Sequence, residues 1–144
     1  MSIEENKELV RSFIEAVPKD LDDVDRIIDQ FVAPDAVEHN PETGQTLDLE
    51  GAKQYAKGVY RAFPDLKEVV KDMVAEGDKV ATRSVATGTH KGEFSGIPPT
   101  GKTFSVDYFE IYRVVDGKIV EHWWVLDRYK MLVQLGVISE AEAA

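Results

Sequence analysis

The stretch DGKIVEHWWVLDRYKMLVQLG, residues 116–136, contains a turn, a strand and the start of a helix in succession. Asp116-Gly117 is the strongest hairpin signal in the chain, because a two-residue turn of this kind needs positive φ at its centre. Residues 118–127 read as the returning strand, with Trp123 and Trp124 adjacent and Asp127 closing it. Residues 128–135 follow as a short helix or turn before Gly136. Strict alternation along the strand predicts Ile119, Glu121, Trp123, Val125 and Asp127 on one face. Val120, His122, Trp124 and Leu126 then share the other. Both faces are apolar, so covering helices account for one of them and the second needs another partner.

Working outward, Phe104–Val115 alternates as the strand that enters this hairpin. Residues 66–76 and 79–90 form two more strands around a Gly77-Asp78 turn. Between the second and third long strands lies KGEFSGIPPTGK, residues 91–102, long enough to be either a binding loop or a stiff surface excursion. Upstream the period changes from two to helical. Residues 2–17 form a helix with Ser2 and Glu5 at capping-box spacing, stopped by Pro18. A second helix runs from a cap at Asp20 to Phe31, and a brief extended segment covers Val32–His39. The turn-rich PETGQT follows, and a third helix spans 49–62, with Ala52, Tyr55, Ala56, Val59, Tyr60 and Phe63 on one stripe. The tail EAEAA, 140–144, reads as frayed. Helices followed by a meander of long antiparallel strands predict an α+β domain with helices on one face of a curved sheet.

With 144 residues, 43% hydrophobic and 31% charged, the chain is expected to be one domain, 1–144. The formal net charge of −10 and the scattered Lys and Arg argue against nucleic acid and anionic membranes as partners. No apolar run reaches the roughly 20 residues a membrane helix needs. The N-terminus lacks an apolar signal core, which points to a cytoplasmic location. Cysteine is absent, so disulfides, thiol nucleophiles and thiolate metal sites are excluded.

FPDL (63–66), EGDKV (76–80), GTHKGEFSGIPPTGK (88–102), DGKIVEHWWVLD (116–127) and QLG (134–136), in this order and spacing, resemble the SnoaL-like polyketide cyclase (ester cyclase) family. That family lies within the nuclear transport factor two-like superfamily. The resemblance implies a cone: a strongly bent antiparallel sheet with about three helices packed on its concave face, enclosing a pocket. It also implies an intramolecular aldol ring closure on a polyketide ester, without metal or cofactor. The general acid/base it implies is an aspartate at the end of the last strand, which falls on Asp127.

An aldol closure needs a group that removes a proton α to a carbonyl and returns one to oxygen. An ordinary aspartate is a weak base, but burial beside Trp123 and Val125 would raise its pKa. The alternative is that Asp127 only caps the helix that follows. Glu121, about 20 Å away along the strand, is expected to be solvated or a cross-strand partner. His39 and His90 sit at rim positions from which either could bind a substrate carbonyl or orient Asp127, although a lone histidine is more often structural. His122 faces away from Asp127 by parity and is the weakest candidate.

Tyr108 and Tyr112, with Glu110 between them on one face, are candidate oxyanion donors or ordinary packing residues. Phe94, Trp123 and Phe109 could line a pocket for a planar ligand, and Arg83 could meet a carboxylate at the rim. No histidine spacing suggests a metal site. The expected ligand is a small, apolar, carbonyl-containing compound. The expected partner is a second copy of the chain, on the face carrying His122 and Trp124. Other readings are isomerisation or hydrolysis in the same cone, or a non-catalytic ligand-binding or dimerisation module.

Overall fold

The computed structural model describes residues 1–140, so most of the EAEAA tail lies outside the described residues. Four helices and six strands follow in the order α1 (Ile3–Ile14), α2 (Leu21–Phe31), β1 (Val32–His39), β2 (Thr46–Leu47), α3 (Leu49–Ala62), β3 (Lys67–Glu76), β4 (Lys79–Thr89), β5 (Thr103–Val115), β6 (Lys118–Leu126) and α4 (Arg128–Gln134). Among these, no helix is long and apolar enough to cross a membrane.

The helix boundaries follow their caps. Ser2 and Glu5 form the expected capping box of α1. Asp20 and Asp48 accept the N–H of Asp23 and Gly51 at the starts of α2 and α3. The strands form one curved, unclosed sheet in the order β2-β1-β6-β5-β4-β3. The α+β class and the curvature are as expected. One detail differs: β1 runs parallel to β6, so the sheet is mixed rather than wholly antiparallel. Helices α1 and α2 precede β1, and α3 carries the chain from β2 to the β3–β6 meander.

The β5–β6 hairpin turns where the sequence indicates, with φ of 49° at Asp116 and 75° at Gly117. One feature of β6 escapes strict alternation. Val114 pairs with Ile119, but Arg113 pairs with Glu121, so Val120 is inserted as a bulge. The bulge reverses the parity of everything after it. Ile119, His122 and Trp124 all line the interior, whereas Trp123 and Val125 face outward. The expected assignment of Trp123 to the cavity, and of His122 and Trp124 to a partner, is therefore corrected.

Two packed clusters support the concave side. Val10 and Ile14 of α1 meet Val70, Val80, Tyr112, Val114 and Ile119 at one end. Phe63, Phe104, Val106, Met131 and Leu135 fill the other, where α3 and α4 approach the sheet. Residues 91–102 are fastened rather than loose. His90 N–H donates to the Lys102 carbonyl (2.9 Å), and the N–H groups of Lys91 and Gly92 donate to the Ala62 carbonyl (2.9 and 3.1 Å). Gly92 sits so close to the end of α3 that a Cβ would lie 2.4 Å from the Arg61 carbonyl oxygen.

Candidate active site

The space between sheet and helices is a cavity with two lobes, of about 400 and 220 Å³, that share Tyr55, Val59, Tyr60, Glu68, Tyr108 and Trp124 in their walls. Its size and aromatic lining suit a small organic ligand. Phe63, Phe94 and Phe104 line the larger lobe. The smaller lobe holds the ionisable groups Glu38, Glu68, Glu110 and His122 of the sheet, with Asp48 from the start of α3.

The four sheet side chains come from inward positions on β1, β6, β5 and β3, the first three adjacent in the sheet and the last separated from β5 by β4. Register aligns Glu38 with His122 across the parallel pair, and Tyr112 with His122 across the hairpin. The His122 ring stacks on Tyr112 at 4.3 Å. Its Nε2–H donates to Glu110 Oε2 (2.7 Å) and its Nδ1–H donates to Glu38 Oε1 (2.9 Å). Both acceptors are carboxylate oxygens, so both ring nitrogens carry protons and the ring is an imidazolium. Burial opposes that charge, but the two carboxylates outweigh it and push the His122 pKa up to about 9.

The Tyr112 hydroxyl also donates to Glu110 Oε2. Burial alone would raise the Glu110 pKa, yet hydrogen bonds with Glu68, His122 and Tyr112 hold it below the usual carboxylate range. Glu68 goes the opposite way: burial, then the adjacent Glu110 charge, pushes it well above that range. Glu68 Oε2 and Glu110 Oε1 are both buried, and among the described residues no N–H or hydroxyl donates to either. A hydrogen bond between two carboxyls exists only if one is protonated, and the opposed shifts favour the protonated form at Glu68 over Glu110. Burial, then the Glu110 charge, also raises Tyr108 and Tyr112 well above the ordinary phenol value, keeping both as O–H donors.

The residues predicted from sequence divide sharply. Tyr108 and Tyr112 do face the cavity, Tyr108 packing edge-on to Trp124 at 5.9 Å. Phe94 reaches the wall of the larger lobe, where the Arg128 guanidinium lies 4.7 Å over its ring. His39 lies on the outer face, stacked on Trp123 at 5.1 Å with its Nε2 2.7 Å from Glu121 Oε2. His90 is buried outside the cavity lining, and its Nδ1 accepts the Thr100 N–H (3.3 Å), which ties down the 91–102 loop. Glu121 takes the cross-strand role open to it, with Arg113 (3.2 Å), and Arg83 meets a carboxylate, that of Asp72 on the neighbouring strand (2.6 Å).

Asp127 is exposed, outside the lining of both lobes, and accepts the Lys130 N–H (3.0 Å) as the N-cap of α4. The geometry thus favours the capping alternative over the expected cavity base. Sequence reasoning passed over Glu38 and Glu68 and ranked His122 last. The available signal was a charged residue on an otherwise apolar inward face, as at Glu110 among Phe104, Val106, Tyr108, Tyr112 and Val114. Among the described residues, no group of three or more His, Asp or Glu side chains is arranged to hold a metal ion.

Comparison with known proteins agrees with the fold. A family model described as SnoaL-like polyketide cyclase matches residues 7–135. Aklanonic acid methyl ester cyclase DauD of Streptomyces sp. (strain C5) is 32% identical over 117 residues, covering 80% of this chain and 71% of that protein. The nogalonic acid methyl ester cyclase of Streptomyces nogalater is 34% identical over 113 residues, covering 76% and 83%. Among solved structures, wild-type IdmH of Streptomyces antibioticus, a candidate polyketide cyclase, superposes with a TM-score of 0.79 at 40% identity, over 91% of this chain and 98% of that one. AclR of Streptomyces galilaeus, a candidate hydroxylase, reaches 0.82 at 37% identity, over 96% and 85%.

Proposed function

The chain belongs to the SnoaL-like polyketide cyclase family, and from that premise we propose that it closes a ring on a small polyketide ester by intramolecular aldol addition. The reaction uses proton transfers by its own side chains, without a cofactor. The observation that carries this reading is the Glu38–His122–Glu110 chain, hydrogen-bonded at 2.9 and 2.7 Å inside an aromatic cavity. Aldol closure needs a carboxylate that can take an α-proton, donors for the oxygen that gains charge, and exclusion of water. Glu38, whose Oε2 makes no hydrogen bond among the described residues, supplies the first. Tyr108 is a candidate for the second, and the apolar walls supply the third.

Aklanonic and nogalonic acid methyl esters, named in the relatives' own descriptions, are the first substrates to test. The product of an intramolecular aldol addition has the mass of its substrate and a changed retention time. Chromatography with mass detection therefore reads the reaction directly. A product of different mass, or no conversion of any polyketide ester, would reject this reading.

A homodimer through the outer face of the sheet is part of the same proposal. The support is an apolar patch on that face, with Phe109 (49% exposed), Ile111 (42%) and Val125 (60%) beside Trp123. The patch replaces the His122 and Trp124 side that strict alternation indicates.

A further inference from the structure

Resting on the cyclase reading, we propose that Glu68 is the proton donor of the reaction, held as a neutral carboxylic acid against Glu110 until a ligand oxygen takes its proton. Glu110 itself has nothing to offer. Its Oε2 is engaged by Tyr112 and His122, and its Oε1 is sealed against other donors. Glu68 is the carboxyl whose side chain lines both lobes. The groups that face it are Glu15 of α1, Tyr60 of α3, Ser84 of β4, and Glu110, Tyr108 and Tyr112 of β5. All are acidic or neutral, and the cation on the same cavity floor, His122, is held by Glu38 and Glu110 at 2.9 and 2.7 Å rather than by Glu68. The Glu side chain's terminal torsion is soft, so the proton can turn from Glu110 towards the lobe.

The step balances. Glu38 carboxylate takes the proton from the carbon α to a carbonyl, and the C–H electron pair forms the new C–C bond. The π pair of the attacked carbonyl moves onto its oxygen, which receives the Glu68 proton. One proton has moved from carbon to oxygen. Loss of a proton by Glu38 and uptake of one by Glu68 restore the protein.

Two measurements on the full chain test this. Infrared difference spectroscopy of the ligand-free protein at pH 7 should show a protonated-carboxyl band that disappears in Glu68→Gln and persists in Glu38→Gln. A band that survives Glu68→Gln, or no such band, overturns the proposal whether or not the protein cyclises esters. With aklanonic acid methyl ester as probe, Glu68→Gln should lose about 10²-fold in kcat/KM, whereas Glu68→Asp, which keeps a protonatable group, should recover part of the rate. Full turnover by Glu68→Gln overturns the donor role. If wild-type protein turns over no polyketide ester, the cyclase reading fails and takes the donor role with it. The infrared band, read without substrate, shows which of the two has failed.

Discussion

His122 illustrates how a residue's environment decides its chemistry. In an unfolded chain its pKa is near 6.5, and in the fold it is pushed up to about 9. A group whose folded pKa is raised stabilises the protein below its unfolded value and loses that contribution as pH climbs through the folded value. Folding stability should therefore be highest below about pH 6.5 and decline towards pH 9, by on the order of 3 kcal/mol at 1.36 kcal/mol per pH unit. Urea unfolding midpoints across this range should show the slope, and His122→Gln should flatten it. Asp127 makes the opposite case. Its carboxylate accepts a helix N–H at the surface, so Asp127→Asn should cyclise esters at close to the wild-type rate. Asp127→Ala should cost about 1 kcal/mol of stability through the lost cap. A loss of 10²-fold or more in Asp127→Asn, with the fold intact by circular dichroism, would return the base to that position.

At the scale of elements, the legible features were those with a local physical signature. Capping residues set the starts of α1, α2 and α3, Asp116-Gly117 set the hairpin, and period-two alternation marked β3 to β6. The bulge at Val120 has no such signature, because it is a property of how two strands pair and not of either strand's composition. Ile119 is apolar and inward, so counting in twos from it put Trp123 and Asp127 in the cavity and His122 outside. That single residue accounts for the inverted faces of His122, Trp123 and Trp124. The parallel pairing of β1 was equally hidden, and it is what brings Glu38 beside His122. Loop 91–102 shows a constraint that sequence marks only as a glycine. With a Cβ 2.4 Å from the Arg61 carbonyl oxygen, Gly92→Ala must shift the loop or the end of α3. It should cost roughly 1–3 kcal/mol, as overpacking does, seen as a lower thermal midpoint.

For the whole molecule, the sheet has two faces with different tasks. Helices cover the concave one and the cavity occupies the space between, which leaves the outer face of β5 and β6 with Phe109, Ile111, Trp123 and Val125 at the surface. Scattered apolar residues on a surface are ordinary, but these lie together on two paired strands, Phe109 opposite Val125 and Ile111 opposite Trp123. A two-fold partner presents the same patch to itself, so one surface satisfies both copies. Because inward and outward residues alternate on these strands, a charge at Phe109 or Val125 disturbs the interface and leaves Tyr108, Glu110 and Trp124 in place. Sedimentation at micromolar concentration should therefore show a dimer for the wild type and a monomer for Val125→Lys combined with Phe109→Glu. The double variant should still cyclise esters, since Glu38, His122, Glu110 and Glu68 all come from one chain. A wild type that sediments as a monomer would remove the dimer while leaving the cavity chemistry untouched. A monomeric variant without activity would show instead that the second copy holds the sheet in its working curvature.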